Sequence, residues 1–216
     1  MKKIAIFDVC DTLYNVNTTF SFLDFYFKKN KNYLVFRKIV KLLPIKAINY
    51  LFYKFFGKDL IRIIGTFFLK NQKLSDITKS SDVFVRNILS KEVKEKIFTK
   101  LKYYKQNGYY IVLMSGSYDF IIKEVANYFN ANSYYASETQ IINQLYTGRY
   151  KKDILMSKYN LFIKNFLEFE KLAVISNNKS DLKLLNLADY AYAVCNKKSD
   201  LKFWKYYSKI NCIEDF

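Results

Sequence analysis

Apolar residues fall into two patterns along this chain. Ile4-Ala5-Ile6-Phe7 is a short, unbroken apolar run of the kind a strand buried on both faces requires, and it stops at Asp8. Gly108-Tyr109-Tyr110-Ile111-Val112-Leu113-Met114 is a second such run and leads into Ser115-Gly116-Ser117. Lys171-Leu172-Ala173-Val174-Ile175 is a third, leading into Ser176-Asn177-Asn178-Lys179-Ser180-Asp181. Each strand, polar turn and following helical pattern predicts an α/β chain with a mostly parallel sheet. Such sheets bind ligands beyond the carboxyl ends of their strands, which is where Asp8 stands. Asp8 is there as a nucleophile or metal ligand, or as a cap for the next turn. Ser115 has a compatible double role, since it also fits as N-cap of a helix starting near Tyr118.

The stretch from about residue 15 to 88 has the other pattern. Helical runs cover Phe20–Phe27, Tyr33–Leu43, Ile45–Phe56, Leu60–Leu69 and Leu74–Leu89, with Pro44 and Gly57 at boundaries and Ser75 a candidate cap of the last run. This predicts two parts: an α/β core from residues 1–14 and 89–216, and an all-helical cap, 15–88, inserted between the first two polar turns. The inserted part is aromatic, and Lys38, Lys41, Lys46, Lys54, Lys58 and Arg62 interrupt its apolar runs. No run of 18 uncharged apolar residues exists, so no spanning helix is expected. The lysines fit a solvated outer face, or an interfacial helix resting on anionic lipid.

Composition narrows the chemistry. The chain contains no histidine, which excludes Ser-His-Asp and Cys-His catalysis and leaves carboxylates as the natural acid–base groups. Its three cysteines are scattered, without disulfide or zinc spacing, as suits a reducing cytoplasm. Met1-Lys2-Lys3 leads into a strand pattern rather than a leader, so a cytoplasmic location is expected, with peripheral contact at the inner membrane face as the second reading. A net charge of +17 draws the chain to anions in general, but no compact basic block or zinc motif points to specific nucleic acid. Hydrophobic residues at 51% are ample for one packed core in 216 residues. The stretch from Lys197 to Phe216, with Trp204, is expected to pack against it or form a contact surface.

Four segments together carry a resemblance: Phe7-Asp8-Val9-Cys10-Asp11-Thr12-Leu13, then Leu113–Ser117, then Tyr146-Thr147-Gly148-Arg149 before a lysine-rich helix, then Ser176–Val194. In order and spacing they resemble the haloacid dehalogenase superfamily, closest to the branch with phosphoserine phosphatase. The resemblance implies a Rossmann-like, doubly wound core with a helical cap, acting as a phosphatase or phosphotransferase. It implies that Asp8 attacks phosphorus to form an aspartyl phosphate, with Mg²⁺ screening the repulsion between carboxylate and phosphate. Ser115 and the Gly116 backbone N–H would hold phosphoryl oxygens. Lys158, opening a helix after a short loop, matches the family's lysine better than Lys152. Asp8, the Cys10 carbonyl, Asn177 and Asp181 would make up the metal shell.

Two residues depart from the family pattern. Cys10 stands where phosphatases carry the Asp that shuttles protons, and a thiol is a poor substitute. Asp11, one residue on, is the available replacement if it points back at the leaving group. Asn177 stands where a metal-binding Asp is usual; it offers an oxygen but no charge. Three outcomes stay open: hydrolysis, phosphoryl transfer, or a degenerate protein that binds a phospho-ligand without turnover. The substrate is expected to be a small or lipid-linked phosphomonoester, with the aromatic cap favouring a sugar phosphate.

Overall fold

Strand β1 (Lys2–Phe7) alternates its side chains between two separate hydrophobic clusters. Ala5 and Phe7 enter one and Ile4 and Ile6 the other, as the two-residue period of a strand dictates. Both faces of the sheet are therefore covered, and the apolar run has no polar alternation because neither face meets water. The structure, a computed structural model, covers residues 1–216.

From β1 the chain passes through helices α1 (Thr18–Tyr26), α2 (Lys31–Ile39), α3 (Leu43–Phe56), α4 (Leu60–Phe67) and α5 (Leu74–Asn87). It returns through α6 (Glu95–Gln106) to β2 (Tyr110–Tyr118), α7 (Asp119–Phe129), β3 (Ser133–Ile142) and β4 (Leu145–Lys152). The remainder is α8 (Lys158–Asn165), β5 (Phe169–Ser176), α9 (Leu182–Leu187), β6 (Tyr190–Cys195), α10 (Lys198–Trp204) and β7 (Ile210–Glu214). The sheet order is β4-β3-β2-β1-β5-β6-β7, and every neighbouring pair is parallel except β3 and β4. This is the mostly parallel α/β sheet the strand pattern predicts, doubly wound as the resemblance implies. Its central strands β2, β1 and β5 bring their carboxyl ends side by side.

The helical runs form close to their expected bounds. Pro44 sits in the first turn of α3, where its missing N–H costs nothing, and Gly57 ends the helix at φ 65°. Asn17, Asn30 and Asp59 cap α1, α2 and α4 through side-chain oxygens. Ser75 does not cap α5: the helix starts one residue earlier, and the Ser75 hydroxyl bonds to Asp76.

Tyr146 to Arg149 also differ from expectation. They lie inside β4, and the next helix begins only at Lys158. Asn143 and Gln144 both have positive φ, which makes a tight hairpin that folds β4 back on β3. Gly148 (φ 77°) is required there, because a Cβ would lie 2.9 Å from the Phe67 carbonyl oxygen and 3.0 Å from Lys70 Cβ. The end of α4 thus packs onto β4.

The inserted helices do not build a core of their own. Phe22, Leu23, Tyr33, Leu69, Ile77 and Phe84 join the same buried cluster as Phe7 and Ile121. The C-terminal stretch packs on the other face: Trp204 is fully buried there, and β7 adds a parallel edge strand to β6.

Candidate active site

The site forms where β1, β2 and β5 end. Asp8 follows the last residue of β1, and its backbone N–H still donates to the Ile175 carbonyl at 2.9 Å, so the sheet fixes its position. Its carboxylate is buried and fully engaged. Oδ1 accepts from the Val9 N–H at 2.8 Å and lies 3.0 Å from Lys158 Nζ, while Oδ2 accepts from Asn178 Nδ2 at 2.6 Å.

Lys158 opens α8 and is as buried as Asp8. Its ammonium also reaches Asp181 Oδ2 at 2.8 Å, so it bridges two carboxylates from different strand ends. Burial opposes its charge, but Asp181 and Asp8 outweigh that cost and hold it above the usual lysine range. Lys151 and Lys152 lie exposed on β4, where Lys151 pairs with Glu138 at 3.5 Å. Of these lysines, the structure brings Lys158 to Asp8.

Asp181 has little freedom to do anything else. Besides Lys158 it accepts from the Ser176 hydroxyl at 2.7 Å and is 3% exposed, which sets it behind the lysine. Asn177 faces the front of the site. Its Oδ1 accepts from Thr12 Oγ1 at 2.9 Å, and its own N–H donates back to the same hydroxyl at 3.0 Å. Thr12 therefore ties the turn after β1 to the turn after β5.

Ser115 and Gly116 lie in β2 itself, which continues to Tyr118 before α7 begins. The Ser115 hydroxyl accepts from the Ser117 N–H at 3.2 Å and does not cap the helix; Tyr118 is the N-cap, with no side-chain bond. Pairing with β3 breaks between Ser115 and Tyr118, leaving a bulge of the kind that re-aims backbone groups beside ligands. Gly116 is closely approached: a Cβ would meet Leu155 Cδ1 at 2.7 Å and Arg62 Nη1 at 3.1 Å, so those side chains would have to shift.

The two residues after Asp8 differ in character. The Cys10 thiol lies 2.8 Å from Thr18 Oγ1 and 3.7 Å from Ser115 Oγ. Burial, then the neighbouring Asp8 charge, push it above the usual thiol range, so it is neutral and no proton acceptor. Asp11 adopts φ 53°, a left-handed conformation that Asp tolerates better than most residues. Its carboxyl is pushed up by burial and then by Asp8, against the pull of Lys94. It lines one small pocket, about 70 Å³, with Asp8, Cys10, Ser115, Gly116 and Asn177. Asn196 donates to the Asp11 carbonyl at 2.8 Å and bonds Lys94, whose ammonium pairs with Asp215 at 2.6 Å; the C-terminal segment thereby braces this loop.

Several site residues were not singled out from the sequence. Arg62 comes from α4, is 4% exposed, bonds the Gly116 carbonyl and Asp153, and stacks over Tyr150 at 4.8 Å. Its Nε has no partner. Asp59 lines the same pocket. Thr18 and Thr19 donate to the Ser117 hydroxyl at 2.9 and 3.1 Å, which fixes α1 against the β2 turn. A buried arginine in an amphipathic helix looks like any surface cation until the helix is docked. The available signal was its place in the first turn after Asp59, amid apolar residues.

The donor set fits a small hard cation only sparsely. Asp8 supplies the charge and Asn177 a neutral oxygen, while the Cys10 carbonyl accepts no backbone hydrogen bond and is free to bind. Mg²⁺ keeps several waters and needs only one or two carboxylates, so the residues fit it, with Asp11 a second carboxyl lining the same pocket.

A family model described as haloacid dehalogenase-like hydrolase matches residues 5–186. No curated protein matches the chain in sequence. Among solved structures, a protein of unknown function from Bordetella pertussis Tohama I superposes with a TM-score of 0.78 at 13% identity, covering 99% of this chain and 98% of that one. A phosphoserine phosphatase, solved as a phospho-aspartyl intermediate analogue, gives 0.66 at 18% identity, with 99% and 94% covered. A phosphoserine phosphohydrolase-like protein from Francisella tularensis subsp. tularensis SCHU S4 gives 0.60 at 18% identity, with 97% and 94% covered. The likeness in structure is one of fold, shared over whole chains with the phosphoserine-phosphatase-like branch. The match over most of the sequence goes further: this chain belongs to the haloacid dehalogenase-like hydrolases.

Proposed function

We propose that the protein is a Mg²⁺-dependent phosphomonoester hydrolase or phosphotransferase that works through an aspartyl phosphate on Asp8. One observation carries this: Lys158 bridges Asp8 and Asp181 in a buried cluster at three adjacent strand ends, beside the β2 bulge. A carboxylate so fixed is a poor structural filler and a well-placed nucleophile.

Asp8 attacks phosphorus, and the bond from phosphorus to the leaving oxygen breaks. Asp11, whose carboxyl burial and Asp8 push up, gives its proton to that oxygen and then takes one from the water that attacks the acyl phosphate. That second step frees inorganic phosphate and restores Asp8; an acceptor hydroxyl in place of water makes the same chemistry a transfer. Lys158 offsets charge on the phosphoryl oxygens, with the Ser115 hydroxyl and the Gly116 N–H as further donors. Asp8, the Cys10 carbonyl and Asn177 are the residues to hold Mg²⁺, which when bound screens the carboxylate–phosphate repulsion. Asp181 positions Lys158. Residues 15–88 act as the cap, and Arg62 and Asp59 present its polar groups to the leaving group.

The substrate is a small or lipid-linked sugar phosphate. A cavity of about 510 Å³ supports this: Phe56, Ile63, Tyr150 and Met156 line it with Lys58 and Arg149, and it shares Leu155 with the catalytic pocket. The neutral Cys10 thiol favours a second reading, binding of a phospho-ligand without turnover.

Phosphate release from a panel of phosphomonoesters with Mg²⁺, for wild type and Asp8→Asn, separates the two. Release that disappears in Asp8→Asn is the expected result. No release from any compound, with beryllofluoride still captured at Asp8, would favour binding without turnover.

A further inference from the structure

Helix α3 is the one long helix with no buried side chain. Its half-buried side, Ile45, Asn49, Phe52 and Tyr53, faces the protein, and Tyr53 lies beside Ser180 near the Lys158–Asp181 pair. The opposite side is apolar and open: Leu43 is 80% exposed, Leu51 51% and Phe55 72%. Leu34, Val35 and Ile39 of α2, and Leu42 of the turn that joins the two helices, are apolar and exposed as well. An unpartnered apolar surface of this kind is costly in water and marks a contact site.

Its charge says what covers it. From Phe25 to Lys58 the sequence holds eight lysines and one arginine and no acidic residue. All eight lysines are exposed, and none makes an ion pair. A protein partner of ordinary composition would leave those charges unmatched, and a second copy of this chain would repel them. Large apolar side chains fringed by free lysines complement an anionic lipid surface, where the apolar groups enter the acyl boundary and the ammonium groups meet headgroups. No helix is long and apolar enough to cross a membrane, so the contact lies in the plane of the bilayer.

We propose that the α2–α3 face docks the protein on an anionic membrane surface. The docking rests on this face alone. Its link to turnover rests on the phosphatase reading of the site: the cavity lined by Phe56 and Lys58 borders this face, so an amphiphilic phosphate enters from the bilayer.

Flotation of the full chain with vesicles of phosphatidylcholine, alone or with phosphatidylglycerol, tests it at about 0.1 M salt, where the Debye length is about 10 Å. Wild type and Asp8→Asn are expected to float with the anionic vesicles and not with the neutral ones. Leu43→Ser/Leu51→Ser/Phe55→Ser keeps the net charge of +17 and is expected to lose about tenfold or more of the bound fraction, with an unchanged melting curve. Lys46→Glu/Lys54→Glu is the second variant and is expected to lose binding without touching an apolar contact.

Equal flotation of the triple serine variant would overturn the proposal, because overall charge would then suffice. No flotation of the wild type would overturn it too, as would a dimer that the serine variant dissolves. Flotation of Asp8→Asn without phosphate release from any compound by wild type would leave the docking standing and remove the phosphatase reading.

Discussion

The strand-end cluster and the α3 face lie a few residues apart in space yet follow opposite rules. Asp8, Lys158 and Asp181 are all buried and partnered, and the partners come from several turns of one rigid sheet. On α3 the apolar groups are exposed and the lysines free. Chemistry needs the first arrangement, since a misplaced carboxylate loses its attack geometry. Adhesion needs only area and charge, which a single exposed helix supplies. The contrast teaches where substitution should be felt.

The largest effect is expected from Lys158→Ala. It leaves Asp8 and Asp181 buried together without a cation, so phosphate release should fall by about 10²–10³-fold and stability by about 3–5 kcal/mol. Steady-state turnover and urea unfolding measure the two losses; a variant with wild-type values on both would erase the distinction between the regions.

Inside the insert itself, Phe22→Ala should cost about 3–5 kcal/mol. Its ring lies 5.1 Å from that of Phe120 and 5.5 Å from that of Phe84, within the cluster shared by insert and core. A loss below about 1 kcal/mol in urea unfolding would mean that the insert is held elsewhere.

Asp11→Asn sharpens the comparison by opposing function to stability. The folded state raises the Asp11 pKa, so the stability this group supplies is present below its unfolded value, about 4. It is lost as pH rises through the folded one. Melting curves between about pH 4 and 8 should therefore slope downward less in Asp11→Asn than in wild type. Turnover of the variant should drop by about 10²–10⁴-fold. Cys10→Asp, which puts a carboxyl where the buried thiol now is, should raise phosphate release by about tenfold or more. No gain would leave Asp11 as the sole acid–base group.

The smallest change is expected on the open face. Leu43→Ser should shift stability by no more than about 0.5 kcal/mol, because an 80%-exposed side chain contributes little to the fold. A larger loss in the melting curve would show that α3 packs against something in the free protein.

Much of this was legible in the chain. Strands β1, β2 and β5 read directly because buried parallel strands carry unbroken apolar runs, and the helices of the insert read because Pro44, Gly57 and the 3.6-residue period punctuate them. Strand β4 did not, since its lysines and Gly148 hide a hairpin that depends on two positive φ angles at Asn143 and Gln144. Ser75 and Ser115 fit as caps by type, but α5 starts one residue before Ser75, and the Ser115 hydroxyl takes the Ser117 N–H within β2 instead of one from α7. Arg62 and Asp59 stayed hidden because their importance comes from the docking of α4 over the β2 bulge.

The sequence by itself determined the three central strands, the helices of the insert, the family and the identity of the residues at those strand ends, because periodicity and local turn chemistry are short-range. Only the tertiary structure decided which lysine meets Asp8, that Asp181 stands behind that lysine, and which face of α3 is left uncovered. Those depend on contacts between residues up to 170 positions apart, such as Asn178 with Asp8, and no local pattern encodes them.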